Sequence, residues 1–267
     1  MQKIAVCIGV NQVDPMHFGV PMPILRCSEN DAHEMTLLAH AQGYQTWPLL
    51  GRDATLDAAR RSIADAARQL RGGDAFLLTF AGHGSQVPDL TFTEHDGRNE
   101  TWCLFDGEWL DHALFAALGA FVPGVGVLIV ADCCHSGEEA DRADGPVAVP
   151  PALVSRSLSR QLAQRVYSQN RAKYDSQPRL GKAERERTLA ANVLLLASCR
   201  EDQLSYEGRE LGIFTEALIG AWNEAPQPTT YEALRDRIDE HTPNWQVPQL
   251  RDVSAPNDAF RKRQPFA

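Results

Sequence analysis

Short apolar runs alternate with longer amphipathic stretches along most of the chain. The runs are too short for buried helices and are bounded by polar or turn residues, so they predict strands at residues 3–10, 44–50, 74–81, 125–132, 192–198 and 247–250. Apolar positions at helical spacing predict helices at residues 28–42, 53–71, 109–118, 212–222 and 230–241. Because strands and helices alternate, the pattern indicates a mostly parallel α/β sheet with helices on both faces.

Two parts of the chain break this alternation. Residues 85–106 are polar and acidic, and they predict a loop with one strand-like stretch at 101–105. Residues 138–188 contain many Ser, Gln and Arg and lack sustained apolar periodicity, apart from a weak helical signal at 153–167. Loops of this length are usually functional or disordered, so the pattern predicts a long mobile linker.

Length and composition narrow the class of protein. At 267 residues, with 43% hydrophobic and 23% charged residues, the chain is expected to form one α/β domain. A net charge of −9 argues against nucleic acid as a partner, and no stretch is long enough to span a membrane. The first apolar run is too short for the hydrophobic part of a signal peptide. The six cysteines lie mostly in apolar runs, so we expect reduced thiols in a cytoplasmic protein. The oligomeric state stays open.

A histidine and a cysteine follow two of the predicted strands. His83 stands between two glycines, and Cys134 precedes a polar turn. The carboxyl ends of parallel strands meet at one edge of a sheet, where ligands bind. A thiol is a weak nucleophile until an imidazole takes its proton, so the pair predicts a nucleophile and its base. Inert packing is the alternative for any cysteine in an apolar strand; it fits Cys7, Cys103 and Cys199 better than Cys134.

Longer motifs surround these two residues. FAGHGSQVPDL at 80–90 contains His83, and DCCHSG at 132–137 contains Cys134, 51 residues further on. These motifs resemble the two active-site motifs of the metacaspases and orthocaspases, which are caspase-like cysteine peptidases, and the spacing is similar to that of caspases. The similarity covers nearly the whole chain apart from the linker and the last residues. It continues through LRCSENDA at 25–32, LASCREDQLSYEG at 196–208, GIFTEAL at 212–218 and VPQL at 247–250.

The resemblance implies an α/β, caspase-like (caspase-hemoglobinase) fold, a three-layer sandwich around a mostly parallel six-stranded sheet. It implies a single peptidase domain over residues 1–267. That domain divides into a large-subunit-like part at 1–137, the mobile linker at 138–190 and a small-subunit-like part at 191–267. It also implies a His83–Cys134 dyad. The backbone N–H groups of Gly84 and Cys134 are expected to form an oxyanion site, which stabilises a tetrahedral intermediate.

The cysteine doublet requires a choice of nucleophile. In the family motif that begins here with Asp132, the third residue is the nucleophile, which selects Cys134. Adjacent strand residues point to opposite faces, so Cys133 is expected to face away from His83. His135 as the base is a weaker alternative for the same reason. A zinc site built from Cys133, Cys134 and His135 is weaker still, because structural zinc ligands are usually spaced by two or more residues.

The resemblance also implies an acidic pocket for the residue before the scissile bond. The matching acids are Asp132 and Asp31, the latter in the first helix. Two partly buried carboxylates select Arg or Lys, since a poorly matched substrate leaves them unpaired. The alternative for Asp31 is a solvated acid in the first turn of a helix that Ser28 caps. Ser28 and Ala81 stand near this pocket where many family members have Cys and Ser, which leaves the preference between Arg and Lys open.

Many metacaspases require calcium, and the resemblance maps that site to Asn99, Asp111, His112 and Asp141. Two of the four expected carboxylates are thus replaced, and calcium affinity falls as carboxylates are lost. Asp96 and Glu100 could compensate, and a solvated acidic loop is the alternative. We therefore expect no required cofactor, with calcium acting as a weak stimulant or not at all.

Together these residues predict a cysteine endopeptidase that cleaves peptides and proteins after Arg or Lys through a thioester acyl-enzyme. The linker is rich in Arg and Lys, so self-cleavage there is expected; solubility of a loop is the alternative for those charges. A catalytically idle caspase-like interaction scaffold is the rival function, and the presence of both dyad residues opposes it. A nucleotide-binding protein is disfavoured, because no G-x-G-x-x-G or P-loop pattern follows a strand.

Overall fold

The computed structural model describes residues 1–91, 96–134, 149–150, 153–179 and 182–267. The strands in these residues are β1 (Lys3–Gly9), β2 (Gln45–Leu50), β3 (Ala75–Ala81), β4 (Gly84–Pro88), β5 (Arg98–Leu104), β6 (Gly107–Leu110), β7 (Gly126–Asp132), β8 (Asn192–Ala197) and β9 (Gln249–Asp252). The helices are α1 (Pro15–Phe18), α2 (Ser28–Ala41), α3 (Leu56–Gln69), α4 (Asp111–Leu118), α5 (Arg160–Asp175), α6 (Lys182–Thr188), α7 (Ile213–Asn223), α8 (Tyr231–His241) and α9 (Asp258–Arg261).

Six of the strands form one sheet in the order β2-β1-β3-β7-β8-β9. Every neighbouring pair is parallel except β8 and β9, which are antiparallel. These six strands are the six that the apolar runs predict, so the mostly parallel six-stranded sheet is confirmed. Because five of them run in the same direction, their carboxyl ends lie along one edge.

Helices cover both faces of this sheet, because successive strand residues point to opposite sides. In β1, Ile4 and Val6 belong to the same buried cluster as side chains of α3 and α4. Ala5 and Cys7 belong to a second cluster with side chains of α2, α7 and α8. The predicted three-layer α/β arrangement is therefore confirmed. No helix in the described residues is both long enough and apolar enough to cross a membrane.

Side-chain caps begin helices α1, α3, α5, α8 and α9, whereas α2, α4 and α7 have none. Thr55 caps α3, since its side chain accepts a hydrogen bond from the backbone N–H of Ala58 at 3.1 Å. The predicted cap of α2 is wrong. Its N-cap residue is Cys27, which makes no side-chain cap, and Ser28 lies inside the first turn. Acidic side chains in that turn, among them Asp31, complement the positive end of the helix dipole.

Most described residues of the polar stretch 85–106 belong to a second sheet and not to a loop, and the strand-like stretch predicted at 101–105 overlaps β5. β4, β5 and β6 pair antiparallel in that order, and the helix predicted from residue 109 begins only at Asp111. Apolar periodicity misses this sheet because several of its buried side chains are polar. Thr101 and Glu108 are fully buried, and the Thr101 hydroxyl donates to Glu108 Oε2 at 2.7 Å. The pairing of these groups makes their burial possible.

The stretch predicted as a mobile linker is folded over residues 153–179, so that prediction is wrong for this part. Ser159 caps α5, and the helix buries Ala163, Val166 and Tyr174. Just beyond α5, the side chain of Gln177 donates to the Glu108 carbonyl at 2.7 Å and fastens the segment to β6. An apolar face of so few residues is too narrow to register as sustained periodicity. Residues 138–148, 151–152 and 180–181 of the predicted linker lie outside the described residues.

Candidate active site

Three neighbouring strands end at the edge where the candidate residues lie. β3 leads to His83, β7 leads to Cys134 and β8 leads to Cys199. The last paired residues of β3 and β7 are Ala81 and Asp132, which lie side by side in the register. The fold thus brings segments that are far apart in the sequence to one place, as expected for the carboxyl ends of parallel strands.

The His83 imidazole is held in one orientation by the backbone. Its ring is buried, and Nε2 lies 2.8 Å from the carbonyl oxygen of Pro23. A carbonyl can only accept, so Nε2 carries the proton and Nδ1 is left as an acceptor. Nδ1 has no hydrogen-bond partner in the described part of the chain. Burial lowers the pKa of His83 to about 4, so the ring is neutral near pH 7.

The two adjacent cysteines face different parts of the protein. Cys133 belongs to the main core cluster with Cys103, and burial raises the pKa of the Cys133 thiol well above its usual value. Cys134 belongs instead to a small cluster with Cys199 and Tyr206 at the strand edge. Its Sγ donates to the carbonyl oxygen of Gln203 at 2.7 Å. This divergence matches the alternation expected of neighbouring strand residues.

A buried arginine lies between the two acids that the sequence analysis selects. Asp31 and Asp132 are 1% and 2% exposed, and Arg156 between them is 0% exposed. One guanidinium nitrogen of Arg156 is 2.5 Å from Asp31 Oδ2, and the other is 2.8 Å from Asp132 Oδ2. A third acid, Glu207, has its Oε1 3.8 Å from the guanidinium. Three carboxylates thus surround one cation.

Hydrogen bonds hold these carboxylates in place. Asp132 Oδ1 accepts from the Ser205 hydroxyl and Oδ2 from the Thr215 hydroxyl, each at 2.7 Å. Asp31 Oδ1 accepts from the backbone N–H of Gly212 at 2.8 Å. A Cβ atom at Gly212 would lie 2.5 Å from Asp132 Oδ2, so only glycine leaves room for the pocket wall. Burial raises the pKa of Asp31 to about 7, while the guanidinium of Arg156 opposes that shift.

Glu207 is a pocket residue that the sequence analysis missed. Its carboxylate accepts backbone hydrogen bonds from Cys27 at 2.8 Å and from Arg26 at 2.9 Å, and it is 4% exposed. The sequence did contain a signal for this role, because Glu207 is an acid within a motif after β8 that is already matched to the family. The other two residues predicted near the pocket are both buried. Ala81 pairs with Asp132, and Ser28 Oγ has no hydrogen-bond partner in the described residues.

Residues 153–158, here called the docked segment, bind along the strand edge as an extra extended strand. The Arg156 N–H donates to the Ser205 carbonyl at 2.8 Å, and the Glu207 N–H donates to the Val154 carbonyl at 2.9 Å. These contacts form an antiparallel bridge between Ser155 and the chain just after β8. Adding a strand to an exposed edge is a common mode of peptide recognition.

The carbonyl oxygen of Arg156 receives two backbone N–H groups. Gly84 N lies 2.8 Å from it and Cys134 N lies 3.4 Å from it. These are the two N–H groups that the family resemblance selects as the oxyanion site. On the far side of Arg156, the Leu158 N–H donates to the Gly84 carbonyl at 3.0 Å. The segment therefore contacts the backbone of Cys134 and of Gly84, the residue after His83.

The side chains of the docked segment become more buried toward its end. Leu153 packs against an apolar cluster that includes Tyr206 and Trp245, whose rings meet edge to face at 5.2 Å. Val154 is 41% exposed. Arg156 and Leu158 are buried, with Leu158 in the main core cluster, so the segment is anchored through Leu153, Arg156 and Leu158. The sequence analysis missed this arrangement because Arg156 resembles the other arginines of a polar stretch.

Among the residues matched to calcium, Asn99 is already bound to a cation of the chain. The amide oxygen of buried Asn99 accepts a hydrogen bond from the guanidinium of Arg179, and its amide nitrogen is 3.4 Å from His112 Nε2. A cation of the chain itself therefore takes the oxygen that a calcium ion would need. The described residues contain no group of three His, Cys, Asp or Glu that could hold a metal. Asp141, and His135 of the alternative base and zinc site, lie outside the described residues.

The remaining predicted calcium residues are used locally. Asp111 Oδ1 accepts the backbone N–H of His112 at 2.7 Å, and Asp96 Oδ1 accepts that of Arg98 at 3.0 Å. Asp111 and Glu100 line one small cavity.

Comparison with known proteins identifies relatives along nearly the whole chain. The caspase domain family matches residues 2–260. Metacaspase-1 of Cryptococcus neoformans var. neoformans serotype D is 26% identical over 302 residues, which cover 96% of this chain and 63% of that protein. Metacaspase-1 of Mycosarcoma maydis is 25% identical over 286 residues, which cover 93% and 70%. The chain thus spans slightly less than two thirds of the length of the Cryptococcus metacaspase.

A solved structure is similar over the full length. The crystal structure of a protein from Geobacter sulfurreducens is 35% identical, has a TM-score of 0.88 and covers 100% of this chain and 99% of its own.

Proposed function

The chain belongs to the caspase domain family, and from this premise we propose that it is a cysteine endopeptidase that cleaves peptide bonds after Arg or Lys. One observation carries the proposal. Arg156 lies among three carboxylates while its carbonyl oxygen accepts the N–H groups of Gly84 and Cys134. An arginine ahead of a peptide bond is thereby held as a substrate would be, with the bond to Ser157 beside the Cys134 backbone. The substrates are proteins or peptides with Arg or Lys before the scissile bond.

In this proposal Cys134 is the nucleophile and His83 is its base. Because Nε2 donates to Pro23, Nδ1 is the nitrogen that accepts the thiol proton. The thiolate attacks the carbonyl carbon, and the oxyanion that forms is stabilised by the N–H groups of Gly84 and Cys134. The imidazolium then protonates the leaving amine, and water hydrolyses the thioester acyl-enzyme.

The carboxylates of Asp31, Asp132 and Glu207 support the preference for a basic side chain. A buried carboxylate that loses its cationic partner carries a large desolvation cost, so a neutral or acidic side chain is rejected strongly. Arginine can pair with Asp31 and Asp132 at once through its two terminal nitrogens, as Arg156 does. Lysine offers a single compact charge and is expected to be the weaker substrate.

The proposal is tested with fluorogenic peptides built on the chain's own residues 153–156, Leu-Val-Ser-Arg, and on the same peptide ending in Lys or Asp. The wild-type chain should cleave the Arg and Lys peptides, and the Asp peptide should stay intact. Cys134→Ala should abolish cleavage, while the matched control Cys133→Ala should largely spare it, because Cys133 faces the core. Equal cleavage of the Arg and Asp peptides, or full activity of Cys134→Ala, would contradict the proposal. No cleavage of any peptide would favour an interaction scaffold.

Self-processing is part of the same proposal, and the docked segment narrows it to one bond. Arg156 is the arginine whose carbonyl oxygen receives both N–H groups, so the Arg156–Ser157 bond is the expected site of self-cleavage. Arg165 is exposed on helix α5, where a peptide bond has to unfold locally before it is cut. A cut at residue 156 would leave both dyad residues on the N-terminal piece, with the C-terminal piece held through the sheet.

Peptide-end mapping by mass spectrometry tests this cleavage in purified chains after storage. The wild-type chain should contain a new C-terminus at Arg156, and Cys134→Ala should not. Arg156→Gln should stay uncut, whereas the control Arg165→Gln should be cut like the wild type. An intact chain that still cleaves reporters, or the same cut in Cys134→Ala, would remove self-processing from the proposal.

We further propose that the protein works in the cytoplasm. All six cysteines are buried and none forms a disulfide, which is the usual state in a reducing compartment. Expression with an epitope tag followed by cell fractionation would test this, and recovery outside the cytoplasmic fraction would contradict it.

A further inference from the structure

Cys134 has a second thiol beside it that the proposed reaction does not use. β7 and β8 are parallel neighbours, paired up to Ala131 and Ala197, and Cys134 and Cys199 follow these positions one residue out of register. The strands stay adjacent beyond the ladder, because the Ser198 hydroxyl donates to the Cys133 carbonyl at 3.1 Å. Neighbouring strands lie about 4.8 Å apart, and one residue adds about 3.3 Å along a strand, so a diagonal pair is roughly 6 Å apart. This spacing falls within the Cα separations of about 4.4–6.8 Å that disulfides span.

The two thiols also converge on one acceptor. Cys134 Sγ and Cys199 Sγ both donate to the carbonyl oxygen of Gln203, at 2.7 Å and 3.5 Å. A hydrogen bond with the Cys134 thiol and, next to it, burial raise the pKa of Cys199 well above its usual value. Cys199 therefore stays protonated near pH 7, while His83 is proposed to take the proton of Cys134. Cys134 is therefore the thiol expected to be oxidised first, and the shared acceptor holds Cys199 beside it.

A small oxidant has room at this place. Cys134 and Cys199, together with Cys133, line a cavity of about 60 Å³, which also reaches Arg200 and Arg251. A water molecule needs roughly 10–15 Å³ of such space, so the cavity is large enough for a molecule slightly larger than water.

We propose that Cys134 and Cys199 form a reversible disulfide when the protein meets hydrogen peroxide. The Cys134 thiolate attacks one peroxide oxygen, the O–O bond breaks, and Cys134 sulfenic acid and hydroxide form. The Cys199 sulfur then attacks the sulfenic sulfur, its proton leaves with the hydroxyl as water, and the S–S bond forms. Overall two thiols lose two hydrogens while peroxide is reduced to two waters. The consequence for activity rests on the proposed function: a nucleophile held in a disulfide cannot attack a peptide bond.

The disulfide also protects Cys134. A sulfenic acid without a thiol partner is oxidised further to sulfinic acid, which thiol reductants do not reverse. Cys133 also lines the cavity, but its side chain packs in the core cluster with Cys103, whereas Cys134 and Cys199 share one acceptor. The pair Cys134–Cys199 thus converts an irreversible loss of the nucleophile into a reversible one.

The test treats the full chain with hydrogen peroxide, blocks free thiols and maps the peptides by mass spectrometry. The wild type should lose about 2 Da and contain a peptide with residue 134 linked to one with residue 199, and dithiothreitol should remove the link. Cys199→Ala should contain no such link and should gain about 32 Da at Cys134, which dithiothreitol does not remove. The control Cys133→Ala should behave like the wild type.

Peptidase activity is followed in parallel with the Leu-Val-Ser-Arg reporter. Dithiothreitol should restore most of the activity of peroxide-treated wild type and little of that of Cys199→Ala. No 134–199 link in the wild type, or equal recovery of the two chains, would overturn the inference. The link is read without any activity. A chain that forms the link but has no peptidase activity before oxidation would therefore contradict the proposed peptidase and keep the disulfide. A chain that is active before oxidation but forms no link would do the reverse.

Discussion

Replacing Asp31 with asparagine removes one negative charge from the pocket with little change in shape. The amide oxygen can still accept the Gly212 N–H that Asp31 Oδ1 accepts at 2.8 Å. The other end of the side chain, where Asp31 Oδ2 lies 2.5 Å from the guanidinium, becomes an NH₂ group that faces a cation. The Asp31→Asn variant would thus lose a charge-assisted hydrogen bond and keep the one that holds the pocket wall.

The expected loss follows from the value of that hydrogen bond. A hydrogen bond to a charged group contributes about 1.5–3 kcal/mol. Asp132 and Glu207 remain in the pocket, so the substrate cation is not left unpaired. For substrates that end in Arg, kcat/KM should therefore fall by about 10- to 150-fold, the same energy expressed as a ratio.

The assay compares two reporters, Leu-Val-Ser-Arg and the same peptide with citrulline, a neutral and nearly isosteric side chain, in place of Arg. Asp31→Asn should lower kcat/KM for the Arg peptide and leave the weak cleavage of the citrulline peptide nearly unchanged. Asp57→Asn is a control, because Asp57 is exposed on α3 with a side-chain exposure of 70%. An unchanged kcat/KM for the Arg peptide, or the same loss with both peptides while the melting temperature is unchanged, would refute the role of Asp31.

Three further predictions concern pH, stability and metal. Burial raises the pKa of Asp31 to about 7, so this carboxylate gains a proton as the pH falls below about 7. The kcat/KM for the Arg reporter should therefore fall as the pH is lowered through 7, and Asp31→Asn should lack this fall. Burial also raises the pKa of Glu108 to about 7 from 4.5, so its contribution to stability is complete below pH 4.5 and is lost as the pH rises through 7. The free energy of unfolding measured by urea titration should therefore drop by about 3 kcal/mol over that window, and Glu108→Gln should abolish the drop. An equal drop in the wild type and in Glu108→Gln would contradict this prediction. A calcium titration of reporter cleavage should reveal weak stimulation or none, because the Arg179 guanidinium occupies the amide oxygen of Asn99; complete dependence with tight saturation would instead point to Asp96 or Glu100 as ligands.

The parts of the fold that could be predicted are those whose burial is apolar. β1 and β7 are short, apolar and buried on both faces, so residue type alone indicates them. β5 could not be predicted in full from residue type. Its buried residues include Asn99 and Thr101, whose burial depends on partners in other elements. Apolar periodicity does not reveal such polar pairs, because it reports only the spacing of apolar side chains.

The same limit applies to the candidate site. His83, Cys134 and the two acids could be selected from short motifs, because each follows a strand or begins a helix at the same edge. Arg156 could not be selected in this way. Its burial depends on carboxylates 125 residues before it and elsewhere along the chain, and its own surroundings in the sequence are those of a soluble loop. Long-range charge pairing of this kind becomes visible only when the strand ends are assembled.

The most direct measurement of the central claim is covalent labelling of the wild-type chain by a chloromethyl ketone of Leu-Val-Ser-Arg, followed by mass spectrometry of the labelled peptide. In a cysteine peptidase such a reagent alkylates the nucleophilic sulfur after its Arg side chain has bound in the pocket. The label therefore identifies the nucleophile and depends on the pocket. The account predicts one label per chain, on Cys134, and none from the matched peptide ending in Asp. A label on Cys133, or equal labelling of Cys134 by the Arg and Asp peptides, would contradict it.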